Sequence, residues 1–536
     1  MLDGIERFGN KMPNPAVLCL LLCVFIIVLS PVLFWSGVHA TYEAITPPPV
    51  PTVETYYGGS VEPTDVGPAQ PESPAAYKPH IETAKVKGLL TGEGIRYLFT
   101  SFVSNFRNFA ALAIILVVMI GVGLAEAAGL IGALIRRLVA VSSDSTLTLI
   151  IVLLGMLSSV ASDAGYLVLL PLGAAAFRSV GRHPLAGLAA AFAGVAAGFG
   201  VNFLITPLDG ILTEITNEAL VSRATHHIDL VSNLYFGIGS AIFIVVVTTI
   251  VSARLVERRL GPYDPAAAGD AENLIEDAPA VEPADAARGL RYATAGALAV
   301  ILAVALITAI PGAPLRNPQT GEVIGDSPFM DSLIVIITIM FFVAGSCYGK
   351  RAGTIKNSDD VIAAITRSWA SLAGLLLLFL LIAQFIAYFN FSHIPDVAAV
   401  KLGDILEHIH IGAVWLLVGV ILISALANFI IPQAIAKWGL LAPVFIPLFV
   451  RLGIAPQTVL AAFRAGDSPT NVITPLMPYL ALVIVVMRRY DKHSGIGTVI
   501  SLMLPYAIVV TIAWALFFVA WYLIGIPLGP GWPIHL

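Results

Sequence analysis

Residues 462–480, AFRAGDSPTNVITPLMPYL, join apolar ends to a polar centre. The centre carries two opposite charges, two prolines and three further polar side chains: Arg464, Asp467, Pro469, Pro475, Ser468, Thr470 and Asn471. Proline removes a backbone donor and interrupts a helix. Irregular backbone inside a membrane is tolerated only where it lines a cavity or is buried in protein. The stretch therefore predicts a broken membrane helix that forms part of a site.

The composition places the chain in the membrane class. It has 536 residues, of which 58% are hydrophobic and 12% charged, and its mean hydropathy is +0.89. Soluble domains carry about 25% charged residues. Apolar blocks of spanning length recur from residue 16 to residue 525. The three cysteines all lie in such blocks, which supports neither a disulfide framework nor a zinc cluster. Nothing indicates a nucleic-acid partner.

Lysine and arginine are concentrated in some loops and sparse in others, which predicts orientation by the positive-inside rule. The N-terminus, with Arg7 and Lys11, is placed in the cytoplasm. The Pro-rich run 41–80 is then an irregular outer loop, and the acidic run 261–287 is a cytoplasmic linker. The first apolar block, 16–35, is long enough to span, so we interpret it as a helix rather than as a cleaved signal peptide.

Two apolar blocks begin and end on the same side of the membrane under this rule. Block 147–176 enters from inside and block 411–450 from outside, so both are predicted to be re-entrant hairpins. About nine spans remain, at 16–35, 107–134, 184–220, 231–252, 293–310, 329–347, 370–390, 456–487 and 497–525.

The predicted segments follow in order along the chain. They are a first span (1–40), an outer loop with a lead-in (41–106), a first repeat (107–230), scaffold helices with a cytoplasmic linker at 254–292 (231–347), a second repeat (348–490) and a last span with the C-terminus (491–536).

Two short matches relate the halves. SVASD at 159–163 resembles SALAN at 424–428, an offset of 265 residues, and ITPL occurs at both 205–208 and 473–476, an offset of 268. Each half thus has a hairpin with a polar tip, followed by a span broken at Ile-Thr-Pro-Leu. Because the hairpins enter from opposite sides, the repeats are inverted, as in secondary transporters whose sites lie where the breaks meet. The predicted fold is an all-α polytopic membrane protein with broken helices at the midplane.

Freed carbonyls and side-chain oxygens near such breaks are ligands of the kind that hold Na⁺ in transporters. The alternative is that these polar side chains hold helices together, as they commonly do in membrane bundles. The Na⁺ candidates are Ser159, Asp163, Asn202, Ser424, Asn428, Ser468 and Asn471. No other cofactor is expected.

Arg464 and Asp467 are three residues apart, so on a helix they share a face. One interpretation is a mutually neutralising pair. The other is that Arg464 binds a substrate carboxylate while Asp467 titrates or binds the coupling cation. Asp209 is the corresponding acid of the first half, and Trp438 is either an interfacial anchor or a surface on which an aromatic ligand stacks.

These residues resemble the p-aminobenzoyl-glutamate transporter family, whose members include sulfonamide-exporting pumps. The resemblance covers essentially the whole chain and includes Asn428, Trp438, Pro456, Arg464, Asp467 and Asp209. It implies a homodimer in a bacterial inner membrane, a solvent-filled bowl between protomers, and transport coupled to Na⁺ or H⁺. The implied ligand is an aromatic carboxylate or sulfonamide, which suits the planar Arg464 and a stacking Trp438. Some members carry Ser at the position of Asn428.

Some of these features also fit other functions. A Na⁺-coupled dicarboxylate carrier would share the inverted layout. An intramembrane aspartyl protease is suggested by AGDS at 465–468, but the adjacent Arg464 disfavours a shared proton on Asp467. Paired breaks suit alternating access better than a continuous channel. We therefore expect a transporter rather than an enzyme, with the direction of transport left open.

Overall fold

The computed structural model describes residues 15–45, 79–140, 142–159, 165–220, 227–265, 283–323, 327–409, 412–474, 477 and 479–535. Within these ranges the fold is helical, as predicted, apart from one antiparallel strand pair. The strands His39–Ile45 and Pro79–Lys85 pair with His39 opposite Lys85. Residues 41–45 and 79–80 of the run predicted to be irregular are thus strand, which corrects that prediction there, and residues 46–78 lie outside the described ranges.

Eight helices in the described part of the chain are long and apolar enough to cross a membrane. Seven coincide with predicted spans: Pro15–Trp35, Ala110–Ala127, Leu234–Val251, Pro283–Ala309, Leu333–Ala352, Ala373–Phe391 and Ile496–Ile524. The eighth, Ala434–Arg451, lies in the predicted second hairpin. Leu234–Val251 continues through a π-helical turn, Ser252–Val256, into Glu257–Leu260.

The two remaining predicted spans are broken helices. In the first, Pro184–Ala196 is followed by irregular backbone and then by Pro207–Glu218. Thr206 caps the second part and Pro207 is its first residue, a position that suits proline because no intrahelical donor is lost there. The second broken helix runs through Pro456–Asp467, a 3₁₀ segment at Ser468–Ile473, and Leu480–Arg488.

Each half also contains the two arms of a hairpin. The first hairpin comprises Leu147–Ser158 and Leu170–Ser179, the latter preceded by a π-helical turn at Gly165–Leu169. The second comprises Ala413–Ala427 and Ala434–Arg451. In both halves the first arm packs against the first part of the broken helix that follows it. This shared packing agrees with the internal repeat, while re-entry of each hairpin from opposite membrane faces stays a prediction.

Several shorter helices lie wholly or partly outside the predicted spans: Gly92–Thr100, Phe102–Arg107, Leu130–Ala140, Pro328–Asp331, Ser358–Ser371 and Ile394–Ile409. The last lies between the predicted span 370–390 and the predicted hairpin 411–450, and the helix Pro283–Ala309 begins within the expected linker. These shorter helices have 4 to 16 residues, too few to cross a membrane. Ser358–Ser371 begins with a capping box, in which Asn357 and Asp360 bond each other's backbone N–H.

Glycines bring the first hairpin against the first broken helix. A Cβ on Gly155 would lie 2.8 Å from Cα of Gly194, and a Cβ on Gly194 would lie 2.7 Å from the carbonyl oxygen of Val152. Small residues allow such close approach between membrane helices. The hairpin can therefore lie this close to the broken helix only because Gly155 and Gly194 have no side chain.

We expect Gly155→Ala to lower the thermal unfolding midpoint in detergent, because the added methyl group forces the two helices apart. Overpacking of this kind costs about 1–3 kcal/mol. Gly419→Ala is the matched control, since a Cβ there meets nothing within 4 Å and alanine has the better helix propensity. Equal midpoints for the two variants, measured by fluorescence-detected size exclusion after heating, would contradict this packing.

Candidate functional site

A buried ion pair joins the two broken helices. Arg464, in the second broken helix, is only 4% exposed and its Nη1 contacts the Asp209 carboxylate of the first. The same nitrogen donates to the carbonyl oxygen of Gly200 at 2.9 Å. The guanidinium group therefore binds the first broken helix at two places, within its irregular segment and in the first turn of the helix that follows.

Asp209 is positioned by its own helix. Its Oδ2 accepts from the backbone N–H and from the hydroxyl group of Thr206, each at 2.7 Å, while its Oδ1 faces Arg464. A carboxylate in the first turn of a helix also interacts favourably with the helix dipole. The acid predicted from the ITPL motif is thus held in one orientation toward Arg464.

Asp467 has a different partner from the one expected. It pairs with Lys437 of the second hairpin, not with Arg464. The expectation of a mutual Arg464–Asp467 pair is therefore wrong, because each side chain meets an opposite charge from another helix. Lys437 is fully buried and was missed from sequence, although a single lysine in the otherwise apolar segment beside Trp438 was the available signal.

The second-half Na⁺ candidates lie around the tip of the second hairpin. Asn428 Nδ2 is within hydrogen-bond distance of the Asp467 carbonyl at 3.1 Å, Thr470 Oγ1 at 2.9 Å and Asn471 Oδ1 at 2.7 Å. The hydroxyl groups of Ser424 and Ser468 are buried and have no hydrogen-bond partner among the described residues. The structure therefore brings these candidates into one polar cluster.

The first-half candidates form a second cluster. Asn202 donates to the Met156 carbonyl and to Ser159 Oγ, both at 2.9 Å. Its Oδ1 accepts from the backbone N–H groups of Phe203 and Leu204. Asp163 lies outside the described residues. In this half the amide of Asn202 connects the end of a hairpin arm to the irregular backbone of the break.

A pocket opens beside the Arg464–Asp209 pair. Its lining combines four polar residues with an apolar wall: Asn202, Asp209, Asn233, Arg464, Val201, Leu204, Ile205, Leu230, Leu234, Phe236 and Gly237. Asn233 is 8% exposed, and neither polar atom of its side chain has a hydrogen-bond partner in the described part of the chain. The same holds for Nε of Arg464. An unsatisfied buried polar group costs about 1–3 kcal/mol, so this pocket favours a polar ligand.

Asn233 was missed from sequence because it lies at the start of the predicted span 231–252, where hydropathy does not indicate a binding residue. Its position is the N-cap of Leu234–Val251, yet its side chain makes no capping bond. Asparagine at this position usually bonds the first free backbone N–H groups. The amide is therefore available to the pocket.

Trp438 and Pro456, which were predicted to bind substrate, are buried and do not line the pocket. Trp438 is completely buried, its ring centroid is 4.5 Å from that of Phe463, and its Nε1 donates to Thr216 Oγ1 at 3.0 Å. It thereby connects the second hairpin to both broken helices. Pro456 is the first residue of the second broken helix. Stacking of Trp438 on a ligand stays a prediction.

We expect Trp438→Phe to lower stability by about 1 kcal/mol, the net value of one buried hydrogen bond. Thr216→Val should lower it by about 1–2 kcal/mol, because the hydroxyl group also donates to the Leu212 carbonyl oxygen. Their effects should be non-additive, since both remove the same bond. Trp514→Phe is the matched control, because the indole of Trp514 donates to Ser240 instead, so it should combine additively with Thr216→Val. Additive losses for the Trp438/Thr216 pair in thermal unfolding would refute the bond.

Comparison with known proteins identifies relatives across the whole chain. Residues 1–536 match the family described as "AbgT putative transporter family". The p-aminobenzoyl-glutamate transport protein of Escherichia coli (strain K12) is 32% identical over 528 residues, which cover 98% of this chain and 95% of that protein.

Two solved structures are similar in fold. The Alcanivorax borkumensis YdaH transporter, described as having an unusual topology, is 36% identical with a TM-score of 0.84, covering 97% of this chain and 100% of that one. Neisseria gonorrhoeae MtrF, described as illuminating a class of antimetabolite efflux pumps, is 35% identical with a TM-score of 0.83, covering 99% and 100%. This chain belongs to the AbgT family and is a multi-pass membrane transporter, not an enzyme.

Proposed function

We propose that this chain is a cation-coupled secondary transporter of p-aminobenzoyl-glutamate or related aromatic and sulfonamide compounds. It acts as a homodimer in a bacterial cytoplasmic membrane, with its N-terminus in the cytoplasm. The observation that carries the proposal is the pocket at the Arg464–Asp209 pair, where two broken helices meet. The relatives named for p-aminobenzoyl-glutamate transport and for antimetabolite efflux support the substrate class.

The pocket chemistry suits this ligand class. p-Aminobenzoyl-glutamate carries carboxylates, an amide bond and an aromatic ring. Arg464 retains N–H donors beyond those used by Asp209 and Gly200, and guanidinium groups bind carboxylates strongly. Asn233 offers both a donor and an acceptor for the amide, and Leu234 and Phe236 line the apolar side of the pocket. The pocket has a volume of about 20 Å³ here and has to widen to admit the ring. A sulfonamide retains the ring and a polar head without the glutamate.

The charge balance supports cation coupling. The site contains two cations and two anions, paired as Arg464 with Asp209 and Lys437 with Asp467. An anionic ligand adds unneutralised negative charge to a buried region, which is costly at low dielectric. Na⁺ or H⁺ entering with the ligand offsets that charge. The same site serves import by symport or export by exchange, according to the gradient.

The pairing also bears on the aspartyl protease alternative. Such a protease needs two carboxyl groups that share a proton. Here each acid faces its own cation, Asp467 with Lys437 and Asp209 with Arg464. The paired charges therefore favour binding of a charged ligand over proteolysis. The remaining alternative is a dicarboxylate carrier, which a flux experiment has to distinguish from the proposed transporter.

We expect Arg464→Ala to reduce flux of labelled p-aminobenzoyl-glutamate into proteoliposomes by about tenfold or more, since a lost buried charge contact costs at least 1.4 kcal/mol. Flux is measured under imposed Na⁺ and H⁺ gradients in both orientations. Arg451→Ala is the matched control, because Arg451 pairs with Asp404, which is 53% exposed, and exposed pairs contribute little. Its flux should stay near that of the unmodified chain.

A second variant separates loss of binding from loss of folding. Breaking a buried pair leaves an uncompensated charge, whereas replacing both partners with apolar residues is often tolerated. Arg464→Met/Asp209→Leu should therefore fold and still fail to transport. Unimpaired flux in that variant would refute the site. Stronger competition by a simple aliphatic dicarboxylate than by p-aminobenzoate would favour the dicarboxylate carrier instead.

Asn233 gives a separate prediction. Asn233→Ala should raise the half-saturating concentration of p-aminobenzoyl-glutamate about five- to tenfold while leaving the maximal rate near its original value, as expected when one neutral hydrogen bond is lost. Asn233→Asp should impair binding further, because it places a like charge beside an anionic ligand. Unchanged half-saturation in both variants would remove Asn233 from the site.

A further inference from the structure

Lys437 lies where the second-half Na⁺ candidates converge. Its side chain is fully buried in the helix Ala434–Arg451. Its Nζ contacts the Asp467 carboxylate and donates to Asn428 Oδ1 at 2.6 Å. The ammonium group is therefore a cation located between a carboxylate and an amide oxygen, which is the position that a coupling ion would otherwise take.

The surrounding oxygens do not fit an additional Na⁺. Such an ion needs several oxygen lone pairs directed toward it, as in the unwound segments of other transporters. Here Asn428 Oδ1 and Asp467 Oδ1 face Lys437. The oxygens of Thr470 and Asn471 lie within hydrogen-bond distance of Asn428 Nδ2. Most candidate oxygen ligands in this cluster therefore already lie within hydrogen-bond distance of an N–H donor of the protein.

The internal repeat shows that this arrangement is confined to one half. Subtracting the hairpin offset of 265 from position 437 gives Leu172, and subtracting the ITPL offset of 268 from position 467 gives Phe199. Neither charge of the Lys437–Asp467 pair therefore has an equivalent at the aligned position of the first half, where Asp209 lies ten residues after Phe199. A buried cation and its counter-ion form one unit, because either alone would be an unpaired charge.

We infer that Lys437 is a tethered cation that takes the place of Na⁺ in the second half and holds Asp467 and Asn428 in position. Lys437 is thus a positioning residue, and Asp467 does not bind Na⁺ while the lysine is present. The inference depends on the proposed function in one respect, because it assumes that a coupling ion binds near the place where the two broken helices meet. Removing the ammonium group should free Asp467 Oδ1 and Asn428 Oδ1 as oxygen ligands for Na⁺.

The test measures Na⁺ binding by purified full-length protein in detergent, without transport. Lys437→Met keeps an apolar stem and removes the charge. We expect the unfolding midpoint of this variant to rise by a few °C more in NaCl than in choline chloride, relative to the same difference for the unmodified chain, and binding of ²²Na⁺ to increase correspondingly. An unchanged Na⁺ response would overturn the inference.

A double variant decides the question if Lys437→Met does not fold. Lys437→Met/Asp467→Asn replaces the pair with neutral side chains of similar size, which is often tolerated. Its Na⁺ response should equal that of the unmodified chain, because the carboxylate that would bind the ion is gone. Loss of that response would show that Asp467 binds Na⁺ despite Lys437, and would also overturn the inference. Since neither readout uses substrate, failure here is distinct from failure of the proposed substrate.

Discussion

The buried pair between Arg464 and Asp209 is the interaction on which the centre of this protein depends. Helices broken inside a membrane leave backbone groups without partners and leave polar side chains in an apolar surrounding. Arg464 meets both needs, since it neutralises Asp209 and donates to the carbonyl oxygen of Gly200. The charge of one half thereby stabilises the irregular backbone of the other.

Asparagine side chains bond other backbone groups near the two breaks in the same way as Arg464 does. Carbonyl oxygens released near the breaks accept from asparagines: Met156 from Asn202, Ala196 from Asn471 and Asp467 from Asn428. A buried backbone group without a partner is costly, so these bonds are part of the fold. The residues predicted as ligands are therefore structural too, and a change in the ligand site is also a change in how the breaks are held.

Hydropathy, prolines and the repeated ITPL motif were sufficient to predict the membrane class, the intact spans and both broken helices. They could not predict which charges pair, because Arg464 and Asp209 are 255 residues apart and local spacing favoured Asp467 instead. Lys437, which lies in an apolar segment, was missed for a similar reason, since only the tertiary structure shows its counter-ion. Asn233 lies in the predicted span 231–252, and hydropathy does not show which polar residue of a span faces a pocket. The helix Ile394–Ile409 lies in more polar sequence, where hydropathy carries little information.

The contact between the two breaks limits how the protein can move. A Cβ on Gly200 would lie 2.3 Å from Ser468 Oγ, and Asn471 donates across the same junction to Ala196. Sliding one break past the other would separate Arg464 from Asp209 and leave both charges buried alone. These contacts hold the two broken helices together as one unit. A rearrangement that keeps the Arg464–Asp209 pair intact has to occur at their outer contacts, such as that between Pro207–Glu218 and Ala110–Ala127.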